Sequence, residues 1–129
     1  MSNLRYSKSH EWIDVDAAEE MPVGITSHAQ DLLGDMVYIE LPAIGKDVQM
    51  GEELGVLESV KAASDFYSPI SGVVVAVNQK VVDDPSILNK DPYGAGWLVK
   101  IKAHSKAQLI TELNDLFKED VYLKDFTED

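Results

Sequence analysis

Short apolar runs, cut off repeatedly by Gly or Pro, fill the middle of the chain. Runs of that length and spacing predict strands rather than helices. They fall at Tyr6 to Trp12, Met21 to Ile25, Met36 to Leu41, Asp47 to Gln49, Leu54 to Ser59, Ser64 to Tyr67, Gly72 to Asn78 and Trp97 to Lys102. Turn signals separate them at Pro42–Gly45, Met50–Gly51, Pro69–Gly72 and Pro92–Gly96. Frequent short strands favour a sandwich or small barrel over βαβ units.

Helical periodicity is confined to a few places. Ser27 with Gln30 has the form of a capping box, followed by Leu32, Leu33 and then Gly34 as a stop. Ser105 with Gln108 is a second box, after which Leu109, Leu113, Leu116 and Phe117 fall on one helical stripe. Tyr122 and Phe126, four apart, suggest a further turn, and Asp84–Pro85 suggests a short helical turn through Leu88. The final T-E-D is expected to fray. No linker or low-complexity tract interrupts the pattern. The expectation is a single mainly β domain over residues 1–129, with the helical segment from about 105 packed on it.

Composition narrows the chemistry. At 129 residues and 45% hydrophobic, the chain can bury a core without disulfides or a structural metal. It has no cysteine, so a thiol nucleophile, a Cys-ligated zinc site and any protein-borne sulfur redox chemistry are excluded. The net charge of −12 argues against nucleic-acid binding, which needs clustered Lys and Arg. No run is long and apolar enough to span a membrane. The start M-S-N-L-R-Y has neither an apolar signal core nor an Arg-rich amphipathic leader, so a cytoplasmic, bacterial protein is expected.

The segment Gly51 to Gly72 carries the most specific signal. Lys61 lies ten residues after Gly51 and eleven before Gly72, with L-G-V-L-E before it and S-D-F-Y-S after it. A midpoint turn puts Lys61 at the tip of a hairpin, flanked by the compact Val60, Ala62 and Ala63. An amine on a four-carbon stem is a flexible point charge that acylation would neutralise. An enzyme modifying it must ignore the other nine lysines, which requires a shape rather than a bare sequence. An ordinary solvated turn lysine would have the same spacing.

Glu58 to Asp65, E-S-V-K-A-A-S-D, and Ser68 to Gly72, S-P-I-S-G, resemble the lipoyl-attachment region of glycine-cleavage H proteins. The resemblance continues in S-H-E-W at Ser9 to Trp12, V-G-I-T-S-H-A-Q at Val23 to Gln30, L-G-D at Leu33 to Asp35, and D-P-Y-G-A-G-W at Asp91 to Trp97. It covers about residues 5 to 117; Ile13 to Met21 and the last dozen residues fit less well.

The resemblance implies a flattened barrel-sandwich hybrid with a few short helices and a C-terminal helix. It implies lipoic acid on Lys61 through an amide, with the protein a non-catalytic shuttle. The aminomethyl group of glycine would pass from the PLP-dependent glycine decarboxylase (P protein) to the tetrahydrofolate-dependent aminomethyltransferase (T protein). Dihydrolipoyl dehydrogenase (L protein) would then reoxidise the arm, and a lipoyl ligase or transferase would attach it. Glu11, His28, Ser9 and Asp65 are the residues matching a cleft that parks the arm and keeps the cargo amine protonated. Glu58, Val60 and Ala62 would let the attaching enzyme read the tip. Plainer readings stand beside these: Glu11 as a solvent-facing strand charge, His28 packed over a helical turn, Asp65 finishing the hairpin, and Glu58 a cross-strand charge partner. Asp31, Asp35, Glu52, Glu53 and Asp65 form a candidate docking face, or merely a solvated surface.

Rival functions fit less of the chain. A biotinyl carrier shares the hairpin, but biotin-accepting lysines usually sit between methionines, not Val60 and Ala62. A lipoyl module of a 2-oxoacid dehydrogenase would bring a linker. An H-like relay donating lipoyl groups to other enzymes remains open. A hydrolase metal site from His10, Glu11, His28 and His104 has no recognised ligand spacing.

Overall fold

The structure, a computed structural model, describes residues 3–16 and 19–126. In chain order the elements are β1 (Leu4–Tyr6), β2 (Glu11–Asp14), β3 (Met21–Ile25), α1 (Ser27–Leu33), β4 (Met36–Glu40), β5 (Asp47–Val48), β6 (Glu53–Ser59) and β7 (Ala63–Tyr67). There follow β8 (Gly72–Val77), α2 (Gln79–Asp83), α3 (Ser86–Lys90), β9 (Val99–Ala103), α4 (Lys106–Leu113) and α5 (Glu119–Phe126). The strands form two sheets that are not closed into a barrel, in the orders β1-β2-β3-β9-β8-β5 and β4-β6-β7. Every pairing is antiparallel. This is the mainly β fold that the punctuated apolar runs predict, with the C-terminal helix expected after Ser105.

Alternation explains the packing. In β4, Met36 and Ile39 are buried while Val37, Tyr38 and Glu40 are exposed, with a bulge between Met36 and Tyr38 resetting the pleat. In β6, Leu54, Leu57 and Ser59 turn inward. Met36, Ile39, Leu54 and Leu57 meet Val23, Ile25, Phe66, Ile70, Val74, Val99 and Ile101 in the principal core. β4 crosses β6 so closely that a Cβ at Gly55 would lie 2.1 Å from the Glu40 carbonyl oxygen, so only glycine fits there. A smaller aromatic core of Tyr6, Trp12 and Tyr122, backed by Trp97, Phe117 and Phe126, joins the first strands to the last helix.

Several boundaries differ from the sequence expectation. Tyr6 to Trp12 is not one strand. Ser7 to His10 form a turn between β1 and β2, closed by the His10 N–H donating to the Ser7 carbonyl at 3.0 Å. His10 takes a left-handed φ of 73° there. The cap of α1 is Thr26, not Ser27: the Thr26 backbone is extended and its Oγ1 accepts the Ala29 N–H at 3.2 Å. The second box holds, with Ser105 Oγ accepting from the Gln108 N–H at 3.0 Å. Its helix ends at Leu113, however, so Leu116 and Phe117 belong to the segment beyond it. Pro85 stands at the cap of α3 rather than inside its first turn, and α2 was not signalled at all. The last strand starts at Val99, two residues after Trp97. The T-E-D terminus lies outside the described residues.

Candidate functional site

The β6–β7 hairpin places Lys61 in its turn, exposed, between Ser59 and Ala63. Ser59 builds that turn. Its N–H donates to the Ala62 carbonyl at 2.8 Å, and its Oγ accepts the N–H groups of Lys61 and Ala62, each at 3.1 Å. Val60, 67% exposed, donates its N–H to the Asp35 carbonyl at 3.0 Å, which ties the tip to the turn after α1. The Lys61 stem rests on that turn. A Cβ built on Gly34 would come within 3.3 Å of Lys61 Cε, and Gly34 itself adopts φ +83° as it leaves the helix. Among the described residues Lys61 makes no ion pair. Lys61 is therefore exposed on a short, well-bonded bend, with its side chain laid along the Gly34 turn.

A cleft of about 370 Å³ opens beside Glu11, lined also by Ser7, Ser9, Tyr67, Leu116 and Phe117. Glu11 is only 2% exposed, so the reading of it as a solvent-facing charge is overturned. Two hydroxyls converge on one carboxylate oxygen, Ser7 Oγ at 2.6 Å and Ser9 Oγ at 2.5 Å, while the Tyr67 N–H donates to the other at 3.1 Å. The Ser7 turn that splits β1 from β2 makes this possible, because the Glu11 N–H also bonds Ser7 Oγ at 2.9 Å. Burial pushes the Glu11 carboxyl above its ordinary range, against the opposing pull of those donors.

His28 is not brought to Glu11. Its ring meets His10 instead, with centroids 4.9 Å apart. His10 Nδ1 lies 2.6 Å from the Tyr122 hydroxyl, which lies 2.7 Å from Thr26 Oγ1. Burial, and then the charge of His28, lower the His10 pKa. Asp65 is exposed on β7 opposite Val56, and neither it nor His28 lines the cleft. His104 pairs with Asp47 at 2.6 Å. Among the described residues no group of three or more His, Cys, Asp or Glu could hold a metal ion. Glu58 faces Tyr38 and Ala63 across the sheet, not an opposite charge. The five acidic residues do not form one face: Asp35 anchors the tip and Asp31 lies on α1 just before it, whereas Glu52 and Glu53 stand at the far end of β6, about 20 Å along the strand.

A sequence profile of the glycine cleavage H-protein matches residues 4–128. The chain belongs to the glycine cleavage H-protein family. A glycine cleavage system H protein of Legionella pneumophila (strain Corby) is 56% identical over 115 residues, covering 89% of this chain and 91% of that one. One from Aeromonas salmonicida (strain A449) is 54% identical over 113 residues, covering 88% of each. The crystal structure of a glycine cleavage system H protein from Mycobacterium marinum superposes with a TM-score of 0.84 at 39% identity, covering 96% of both chains.

Membership at this identity supports the role of a lipoyl shuttle, a carrier component of the glycine cleavage system. No helix among the described residues is long and apolar enough to cross a membrane. Family motifs pick out Ser9, Glu11 and Lys61, but not the groups that position them. Ser7 stands four residues before Glu11 with no motif of its own. Tyr67 and Asn89 act through tertiary contacts that leave no local pattern, and Thr26, though inside V-G-I-T-S-H-A-Q, meets Tyr122 rather than the cleft.

Proposed function

We propose that Lys61 is the lipoyl attachment point and that the chain, as one domain, carries cargo without catalysing a turnover. The observation that carries this is the exposed Lys61 on a turn fastened by Ser59 and Asp35, within a segment that resembles the family's attachment region. The residues present fit the group: among the described residues the amine has no ion-pair partner, its stem lies on a glycine, and a mostly apolar cleft adjoins the same hairpin through Tyr67. When bound, a dithiolane would supply the redox-active sulfur that this cysteine-free chain lacks.

Glu11 would receive the amine of the cargo. An ionised carboxylate offers about four lone-pair sites. Ser7, Ser9 and Tyr67 take three of them, which leaves one on the oxygen bonded by Tyr67. A cationic amine there gains a charge-assisted bond in a partly dry setting, which holds its proton in place. Ser9 acts through Glu11. His28 and Asp65 are left out because neither lines the cleft.

The implied partners are the glycine decarboxylase, the aminomethyltransferase, the dihydrolipoyl dehydrogenase and the enzyme that attaches the lipoyl group, working in the cytoplasm. Val60 and Ala62, both exposed beside Lys61, would be read by that last enzyme together with the half-buried Glu58. Intact mass after incubation with lipoate, ATP and a lipoyl ligase tests the attachment. A lipoyl-sized increment is expected in the unsubstituted protein and none in Lys61→Arg; an increment retained in Lys61→Arg would overturn the assignment.

A further inference from the structure

Asn89, on α3, makes no hydrogen bond to Lys61 among the described residues, yet holds the ground on which its hairpin stands. Its Oδ1 accepts the Met36 N–H at 2.9 Å. Its Nδ2 donates to the Gly34 carbonyl at 2.9 Å and to Gln30 Oε1 at 2.8 Å. The amide orientation is fixed, since a backbone N–H can only donate and a carbonyl can only accept. All three bonds fall on α1 or on the Gly34–Met36 turn behind it, the turn that receives the Val60 N–H and supports the Lys61 stem. Met36 is also the residue paired with Ser59, the builder of the tip.

We propose that Asn89 is a positioning residue for lipoyl attachment: it locks the Gly34–Met36 turn, and through it the placement of the Lys61 amine. The inference rests on the assignment of Lys61 as the attachment point. The carbonyl of Asp35 can anchor Val60 only while its own peptide and the preceding one keep their directions. Asn89 clamps two successive peptides: the Gly34–Asp35 peptide through the Gly34 carbonyl, and the Asp35–Met36 peptide, which carries the anchoring carbonyl itself, through the Met36 N–H. Without it the turn depends on its own stiffness, at a glycine already in a left-handed conformation. An amine displaced by about 1 Å from its attack geometry can lose on the order of a hundredfold in rate.

The test compares the full-length protein with Asn89→Ala and Asn89→Asp. The aspartate keeps the shape and the acceptor but removes the donor to Gly34, and it serves if the alanine variant fails to fold. Ser105→Ala, which removes the α4 cap, is the control for general destabilisation. Acylation is followed with lipoate, ATP and a lipoyl ligase, resolving kcat from KM for the protein substrate. Backbone amide exchange is read at Val60 and at the core strand residue Ile101.

The expected result is a fall of about tenfold or more in kcat/KM for both Asn89 variants, with faster exchange at Val60, unchanged exchange at Ile101, and normal acylation of Ser105→Ala. Unchanged kinetics in the Asn89 variants would overturn the proposal. So would a loss matched by Ser105→Ala, or Val60 exchange no faster than in the unsubstituted protein. If the unsubstituted protein is not modified at Lys61, the attachment assignment fails and the kinetic role falls with it. The Val60 exchange still reports separately whether Asn89 holds the turn.

Discussion

Glu11 and His10 are chain neighbours with opposite titration consequences. Glu11 is raised above its ordinary 4.5, first by burial, with the Ser7, Ser9 and Tyr67 bonds opposing. The folded state therefore binds a proton more readily than the unfolded chain, and this residue's contribution to stability declines as pH rises from about 4.5 through its folded pKa. His10 is lowered below 6.5, first by burial and then by His28. The unfolded chain is then the better proton binder, so stability is lost as pH falls below about 6.5 toward the folded value. Carboxyl carbon and imidazole NMR titrations should give a Glu11 midpoint above, and a His10 midpoint below, those of exposed residues of each type. A Glu11 midpoint at or below the ordinary value would mean that the three donors outweigh burial. The S-H-E-W motif made Glu11 legible as a site residue. Its burial was not legible, because that depends on a turn at Ser7 where the apolar pattern reads as unbroken strand.

At the scale of elements, the central strands were readable within a residue or two because one face of each is buried and the alternation is strong. Caps and short helices were not. Thr26 and Ser27 are adjacent hydroxyl residues, and which one caps α1 depends on where β3 stops, a tertiary matter. The two should respond differently to truncation. Thr26 is fully buried, accepts the Ala29 N–H and adjoins the Tyr122 hydroxyl, so Thr26→Ala should cost about 1–2 kcal/mol. Ser27 is exposed and its backbone N–H, not its side chain, bonds the Tyr93 hydroxyl, so Ser27→Ala should stay within about 0.5 kcal/mol. Urea denaturation of the two variants measures the difference, and equal losses would return the cap to Ser27. Helix α2 escaped notice because five residues with two valines carry too little helical period to be distinguished from strand or loop.

Across the whole molecule, the two ends of the chain are what complete the cleft. Tyr6 and Phe117 exchange a pair of backbone hydrogen bonds, each 2.8 Å, and Phe117 and Leu116 then line the cleft together with Ser7, Ser9 and Glu11. Helix α5 fastens that closure: Tyr122 stacks on Tyr6 with centroids 4.7 Å apart, and its hydroxyl reaches both His10 and Thr26. The sequence offered only the four-residue spacing of Tyr122 and Phe126, which suggests a helix but not what it covers. Tyr122→Phe keeps the stack and removes the hydroxyl, leaving Thr26 and His10 each short of a buried partner. It should cost about 1–3 kcal/mol, whereas Tyr122→Ala also opens a cavity in the aromatic core and should cost about 3–5 kcal/mol. Denaturant midpoints measure both. If the hydroxyl matters chiefly as a bridge, Tyr122→Phe should also bring the His10 midpoint back toward 6.5, since loss of the bridge lets the ring turn toward water. A stability loss with an unmoved His10 midpoint would instead credit the hydroxyl's share to its bond with Thr26 Oγ1, at the cap of α1.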